Sequence, residues 1–323
     1  MPDMFAVGPA LALQAALVTE RAAVAASKLI GRGDEKAADQ AAVDAMREAL
    51  NKLPIRGRIV IGEGERDEAP MLYIGEEVGH GWTTGDGPEI DIALDPLEGT
   101  TITAKGMPNA LAIIAMAPKG GLLFAPDTYM DKIAVGPGYE PGLVDLDASP
   151  TDNVHAVAKA KGVSPEDLTV CVLDRPRHRE IIAELREVGA RVLLIMDGDV
   201  QGVINTTDPH TQVDLYLGSG GAPEGVLAAA ALKCVGGQIQ GRLVFRNDDE
   251  RARASKIGIT DFDRKYALDE LASQPTVFSA TGVTDGSLLD GVKIADSRIH
   301  TQTLCMNAVD FAVQRLRSSR PLL

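Results

Sequence analysis

The chain has 323 residues and a formal net charge of −14, from 32 Lys and Arg against 46 Asp and Glu. At about 150 residues per domain this length suits two domains, and an apolar content of 45% is enough for a large core. The acidity excludes a protein that coats DNA or RNA, which must displace counterions with Lys and Arg, and one that docks on an anionic membrane surface.

Aromatic residues are only 4% of the chain, which favours Ala-rich helices packed on Val, Ile and Leu strands. Two helices are expected first, Leu11–Ile30 and Asp39–Leu50, separated by the turn Gly31-Arg-Gly-Asp34. Short strands follow at Arg58–Ile61, Ile90–Leu94, Ala110–Ala117 and Lys132–Val135, divided by Gly, Pro and Asp turns. The polar run Pro141–Thr151 is the expected boundary, giving an N-terminal α+β domain over 1–150 and a C-terminal α/β domain over 151–323. Beyond it the pattern alternates. Leu168–Leu173 reads as strand, Arg179–Val188 as helix, Arg191–Ile195 as strand, Val200–Asn205 as a helix start and Val213–Leu217 as strand. A Gly-rich turn and the helix Glu224–Cys234 follow. Apolar strands alternating with helices indicate βαβ units and a buried sheet, hence an α/β fold.

Cys171, Cys234 and Cys305 are odd in number and widely spaced, so they read as reduced thiols of a cytoplasmic protein, not as a disulfide framework or zinc site. The apolar segment Ala6–Val18 lacks a basic flank and continues into Glu20-Arg21 with helical character, so it is not expected to be a signal peptide. No stretch has the length and apolarity of a membrane-spanning helix.

Charge is concentrated. Between Asp34 and Glu98 stand 16 acids and 6 bases, a local net of −10. Such a run is usually a solvated face; the alternative is carboxylates gathered to hold cations. The strongest motif is Asp95-Pro-Leu-Glu-Gly-Thr100, expected in a loop at the C-terminal end of a strand, where α/β sites tend to lie. Two carboxylates so close would repel unless a divalent cation sat between them, and Thr100 would orient a water beside it. Alone, the motif is equally an Asp-Pro turn. A second acidic motif, Glu63-Gly-Glu65-Arg-Asp67-Glu68, is equally an acidic hairpin. Asp39, expected at a helix start, is weak by itself because acids favour that position for dipole reasons.

Gly218-Ser-Gly-Gly-Ala-Pro-Glu224-Gly225 lies between a strand and a helix and would cradle an anion on backbone N–H groups. It is neither a P-loop nor the dinucleotide fingerprint. Arg175-Pro-Arg177-His178 reads as an anion clamp or as two surface arginines. Asp197-Gly198-Asp199 would accept hydrogen bonds from sugar hydroxyls or simply cap a turn. Oxygen-only ligands suit Mg²⁺ or Mn²⁺, not zinc. Together these motifs suggest metal-assisted hydrolysis of a phosphate ester.

Asp95-Pro-Leu-Glu-Gly-Thr100 resembles the signature of the lithium-sensitive, metal-dependent sugar phosphatases. The block Gly57–Gly75, Ala125-Pro-Asp-Thr-Tyr-Met130, Asp174-Arg-Pro-Arg-His178, Asp197-Gly-Asp-Val200 and Gly220-Gly-Ala-Pro-Glu-Gly225 resemble class II fructose-1,6-bisphosphatases. Several blocks look most like the dual-function cyanobacterial type, which also acts on sedoheptulose 1,7-bisphosphate. The resemblance implies a layered α-β-α-β-α sandwich, a cytoplasmic homo-oligomer (dimer or tetramer), and hydrolysis of the 1-phosphate in gluconeogenesis or the Calvin cycle. It implies that Asp39, Glu63, Asp95, Glu98, Glu224 and the Leu97 carbonyl bind metal. Thr100 would position the attacking water, in a catalytic group with Asp95 and Glu98. Tyr129, Arg175, Arg177, Asp197, Gly198, Asp199 and Gly221 would hold the bisphosphate. Relatives commonly carry Lys where this chain has Glu35, followed by Lys36. The alternatives are a phosphatase of inositol or another sugar monophosphate, and a non-catalytic regulatory protein that binds metal and phosphate.

Overall fold

The computed structural model describes residues 7–64 and 71–322. Glu65, Asp67 and Glu68 of the second acidic motif lie outside the described residues. The chain forms two compact units, one within Met1–Leu122 and Gln274–Leu323 and the other over Leu123–Ser273. The expected boundary at 150 falls inside the second unit. There the backbone of the turn-rich run is tied to a strand: Gln240 accepts from Leu146 N at 2.9 Å and donates to Val144 O at 3.1 Å. The C-terminal residues return to the first unit because the strand Val277–Gly282 pairs along its whole length with residues 111–116.

Among the described residues the first unit holds an eight-stranded sheet. Its order is Lys293–Ala295, Arg298–Asn307, Val277–Gly282, Leu111–Pro118, Glu89–Glu98, Arg56–Ile61, Glu77–Val78, with Ala312–Pro321 also paired to Arg298–Asn307. Arg56–Ile61 and Glu89–Glu98 are parallel; the other pairs are antiparallel. The helix Pro9–Ser27 buries Leu11, Ala15, Val18, Ala22 and Ala26, one stripe at helical spacing, in the core of this unit. Small residues let it approach closely, and polar groups fix where it sits. The Thr19 hydroxyl bonds those of Ser279 at 3.0 Å and Thr281 at 2.8 Å, and buried Glu20 accepts from Arg320 at 2.6 Å. The second helix, Glu35–Leu50, starts four residues earlier than expected, because the Asp34 carboxylate caps it by accepting from Ala37 N at 3.0 Å.

The second unit has a six-stranded sheet among the described residues, in the order Lys265–Ala267, Gln238–Val244, Tyr129–Val135, Leu215–Gly221, Thr169–Leu173, Arg191–Ile195. The last three are parallel and the others antiparallel, so the expected βαβ units are present over residues 169–221. The sheet is not buried throughout. Arg191–Ile195 is its edge strand, and Leu193 and Leu194 are 38% and 36% exposed. Helices Pro150–Lys161, Arg179–Glu187, Asp199–Ile204 and Ala222–Lys233 complete an α/β chain with two mixed sheets. Among the described residues no helix is long and apolar enough to cross a membrane. Cys171, Cys234 and Cys305 are buried and in no disulfide; burial pushes the Cys171 thiol up to about 12, with Asp199 adding to the effect, and Cys305 to about 11.

Candidate active site

In the first unit the strand Glu89–Glu98 carries the strongest motif. The acids were expected in a loop beyond the strand; instead they lie within it. Asp95 pairs with Ile113 and Glu98 with Leu111, so one strand takes three steps while its neighbour takes two. The bulge falls at Pro96, which has no N–H to give the ladder. The Asp95 carboxylate accepts from Leu97 N at 3.0 Å, and Leu97 and Glu98 are buried. Gly99 then turns at φ 94°, and a methyl there would lie 2.7 Å from the Ile102 side chain, so glycine is required. Thr100, half-buried, opens the short helix Thr100–Ala104.

Asp39 is not at a helix start. It sits one turn into Glu35–Leu50, where burial raises its pKa, and the dipole explanation for an acid no longer applies. Glu63 lies just after Arg56–Ile61, its N–H bonded to Leu72 O at 3.1 Å. Burial, with repulsion from Asp39, raises Glu63 to about 8. Asp39 and Glu63 are therefore close enough for their charges to interact. Glu35 and Lys36 are both exposed on the first turn of that helix.

In the second unit the glycine motif is not a free turn. Residues 218–221 belong to the strand Leu215–Gly221, and the helix Ala222–Lys233 begins immediately, with Gly221 as N-cap. A methyl at Gly220 would lie 2.0 Å from Asp199 Oδ2, and one at Gly221 only 1.8 Å from Glu224 Oε2. These glycines give up side chains so that two carboxylates can come close. Burial raises the pKa of Glu224, as does Asp199, while Lys132 opposes them. Glu224 Oε2 is buried with no hydrogen-bond partner. Lys132, which the sequence reading did not single out, is 1% exposed, pairs with Asp199 and donates to Gly221 O at 2.8 Å. Its sequence signal was a lysine directly before the apolar run Ile133-Ala-Val135 of the strand Tyr129–Val135.

The two arginines differ. Arg175 donates to its neighbour's carbonyl, Asp174 O, at 3.1 Å. Arg177 donates to Ser219 O from Nε at 3.0 Å and from Nη2 at 2.6 Å, and its guanidinium lies 4.9 Å from the centre of the Tyr129 ring. Ser219 is held in turn by His178. The Ser219 N–H donates to His178 Nε2 at 2.8 Å, so Nδ1 carries the proton and donates to Leu173 O at 2.7 Å. Burial lowers the His178 pKa, which keeps this neutral form. Asp197 Oδ1 accepts from Gly198 N at 3.1 Å, and Gly198 at φ 84° caps Asp199–Ile204.

Among the described residues, no group of three or more His, Cys, Asp and Glu side chains stands in a metal-holding arrangement. The donors nevertheless fit a hard cation. They are oxygens only in each unit: the first has Glu63, a buried acid with raised pKa, and the second has Glu224, a buried acid with raised pKa whose Oε2 is without a partner.

The family model for bacterial fructose-1,6-bisphosphatase, glpX-encoded, matches residues 9–320. The chain belongs to this family, whose members are phosphoric monoester hydrolases and, as a class, metal-dependent phosphatases. It is 46% identical over 319 residues, 92% of each chain, to the D-fructose 1,6-bisphosphatase class 2/sedoheptulose 1,7-bisphosphatase of Microcystis aeruginosa. Proteins of the same name from a Synechococcus species and from Synechococcus elongatus are each 45% identical, over 320 and 312 residues.

Proposed function

We propose that the protein hydrolyses the 1-phosphate of fructose 1,6-bisphosphate, giving fructose 6-phosphate and phosphate, and acts likewise on sedoheptulose 1,7-bisphosphate. The observation that carries this reading is the similarity to relatives named for both activities, at 45–46% identity over nine-tenths of each chain. A place in gluconeogenesis or the Calvin cycle follows from those substrates.

Asp39, Glu63, Asp95, Glu98, Glu224 and the Leu97 carbonyl would hold Mg²⁺ or Mn²⁺. A divalent cation supplies charge neutralisation at phosphoryl oxygens and Lewis-acid activation of the water nucleophile. Thr100, set by the Gly99 turn, orients that water for in-line attack. Asp95 is held toward the bulge by its bond from Leu97 N, which keeps the carboxylate from turning away. Tyr129, Arg175 and Arg177 take the phosphate remote from the reacting centre, and Asp197, Gly198, Asp199 and Gly221 hold the sugar. His178 fixes the Ser219 carbonyl and so aims Arg177.

The reading extends to a cytoplasmic homo-oligomer, dimer or tetramer. It is supported by three buried thiols in no disulfide and by the exposure of Leu13, Leu17, Phe311 and Val313, at 46%, 57%, 62% and 52%. The test is phosphate release from fructose 1,6-bisphosphate, sedoheptulose 1,7-bisphosphate and inositol 1-phosphate with Mg²⁺, Mn²⁺ or EDTA. Release from the two bisphosphates with metal and none with EDTA is expected. Preference for the inositol ester, or no release at all, would overturn the proposal.

A further inference from the structure

We infer that Arg246, held in place by Glu250, is a further binding residue for the second phosphate of the substrate. The inference rests on the bisphosphatase reading above and deepens it.

The sheet places Arg246 at the right end of the second unit. Tyr129 pairs with Gly221 on one side and with Val244 on the other. The strand Gln238–Val244 therefore ends where Leu215–Gly221 ends, and Arg246 follows two residues later, at the sheet end that carries Tyr129, Ser219 and Gly221. The Arg246 guanidinium lies 5.0 Å from the centre of the Tyr129 ring, and that of Arg177 lies 4.9 Å from it. The two cations are thus within about 10 Å of each other, the span of one aromatic ring with its flanking groups.

The charges around the ring leave room for an anion. Among the described residues Arg177 bonds only the Ser219 carbonyl, so its charge has no carboxylate partner. Arg246 is paired to Glu250, which accepts from Arg246 Nε at 2.6 Å and from Arg246 N at 2.8 Å. Glu250 is itself 2% exposed and fixed by the Thr128 hydroxyl at 2.9 Å. The Arg246 side chain is 53% exposed beyond this clamp. The acid holds the guanidinium by its Nε and Nη2 edge, and among the described residues Nη1 bonds nothing and is left for an anion beside Tyr129. In a chain of net charge −14, two guanidinium groups on one ring, one of them unneutralised, make a seat for a phosphate. Glu250 is a positioning residue and does not touch substrate.

The test is steady-state kinetics of Arg246→Ala, Arg246→Lys and Glu250→Gln on fructose 1,6-bisphosphate and on fructose 1-phosphate, which lacks the second phosphate. Arg246→Ala is expected to raise KM for the bisphosphate roughly tenfold, the loss of one charge-assisted hydrogen bond. It should leave kcat nearly unchanged and should not alter KM for fructose 1-phosphate. Arg246→Lys should fall between, and Glu250→Gln should raise KM for the bisphosphate alone. Fructose 6-phosphate binding, measured by calorimetry on Arg246→Lys, gives the same comparison without turnover and is expected to weaken. An unchanged bisphosphate KM in Arg246→Ala, or an equal rise for both substrates, overturns the inference. Wild-type protein inactive on the bisphosphate would instead overturn the bisphosphatase reading.

Discussion

Lys132 and Asp199 form a buried ion pair in the second unit, with side chains 1% and 8% exposed. Lys132 also donates to Gly221 O at 2.8 Å, which ties the end of one strand to the first turn of the helix Asp199–Ile204. Lys132→Met strands a buried carboxylate, and a loss of about 3–5 kcal/mol is expected. Urea unfolding measures it. Adding Asp199→Asn removes the orphan charge and should recover part of the loss. A single-variant loss under about 1 kcal/mol would place this pair with exposed ones.

Gly221→Ala tests the carboxylate that the glycine makes room for. The backbone at φ −64° and ψ 145° suits alanine, so the fold should survive and the melting temperature should change little. The added methyl displaces Glu224 Oε2 from 1.8 Å away, so affinity for Mn²⁺, measured by calorimetry, should fall together with kcat. Unchanged Mn²⁺ affinity would remove Glu224 from the proposed ligands.

Thr100→Ala should keep KM for fructose 1,6-bisphosphate and lower kcat by about a hundredfold or more, as expected when a group that orients the nucleophile is lost. Normal turnover in this variant would end the proposed role of Thr100.

Glu250 gives a pH signature in stability. Burial alone would raise its pKa, but hydrogen bonds from Arg246 and Thr128 outweigh it and hold the carboxyl at about 2, below the ordinary 4.5. A depressed folded-state pKa stabilises the native protein above the unfolded pKa and loses that contribution as pH falls toward 2. Wild type should therefore exceed Glu250→Gln in unfolding free energy at pH 7, and the gap should close between pH 4.5 and 2. A gap independent of pH would contradict the assigned bonding.

The first helix was legible because Leu11, Ala15, Val18 and Ala22 repeat at helical spacing, whereas the start of the second was misplaced because Asp34, which caps it, read as part of a turn. The long hairpin of Arg298–Asn307 with Ala312–Pro321 was not. Ala312–Pro321 runs Val-Gln-Arg-Leu-Arg-Ser-Ser-Arg after its first residue, exposed at most positions, so alternation gave no strand signal. The motif Asp95–Thr100 was found by its residue types, but its place was misread, because a one-residue bulge keeps Asp95 and Glu98 within the strand.

The sequence by itself determined the class of chemistry. Its acidity excludes nucleic-acid and membrane surfaces, its acids and glycines stand in the order of a phosphatase family, and its cysteines are too sparse for a disulfide frame. Only the tertiary structure decided which charges meet. Lys132 and Asp199 are 67 residues apart, and Arg177 and Arg246 share the ring of Tyr129 only because three strands pair in register. Local sequence sets dihedral preferences and capping. Side chains distant in sequence are brought to hydrogen-bonding distance by sheet pairing and burial, which are long-range properties that no short motif encodes.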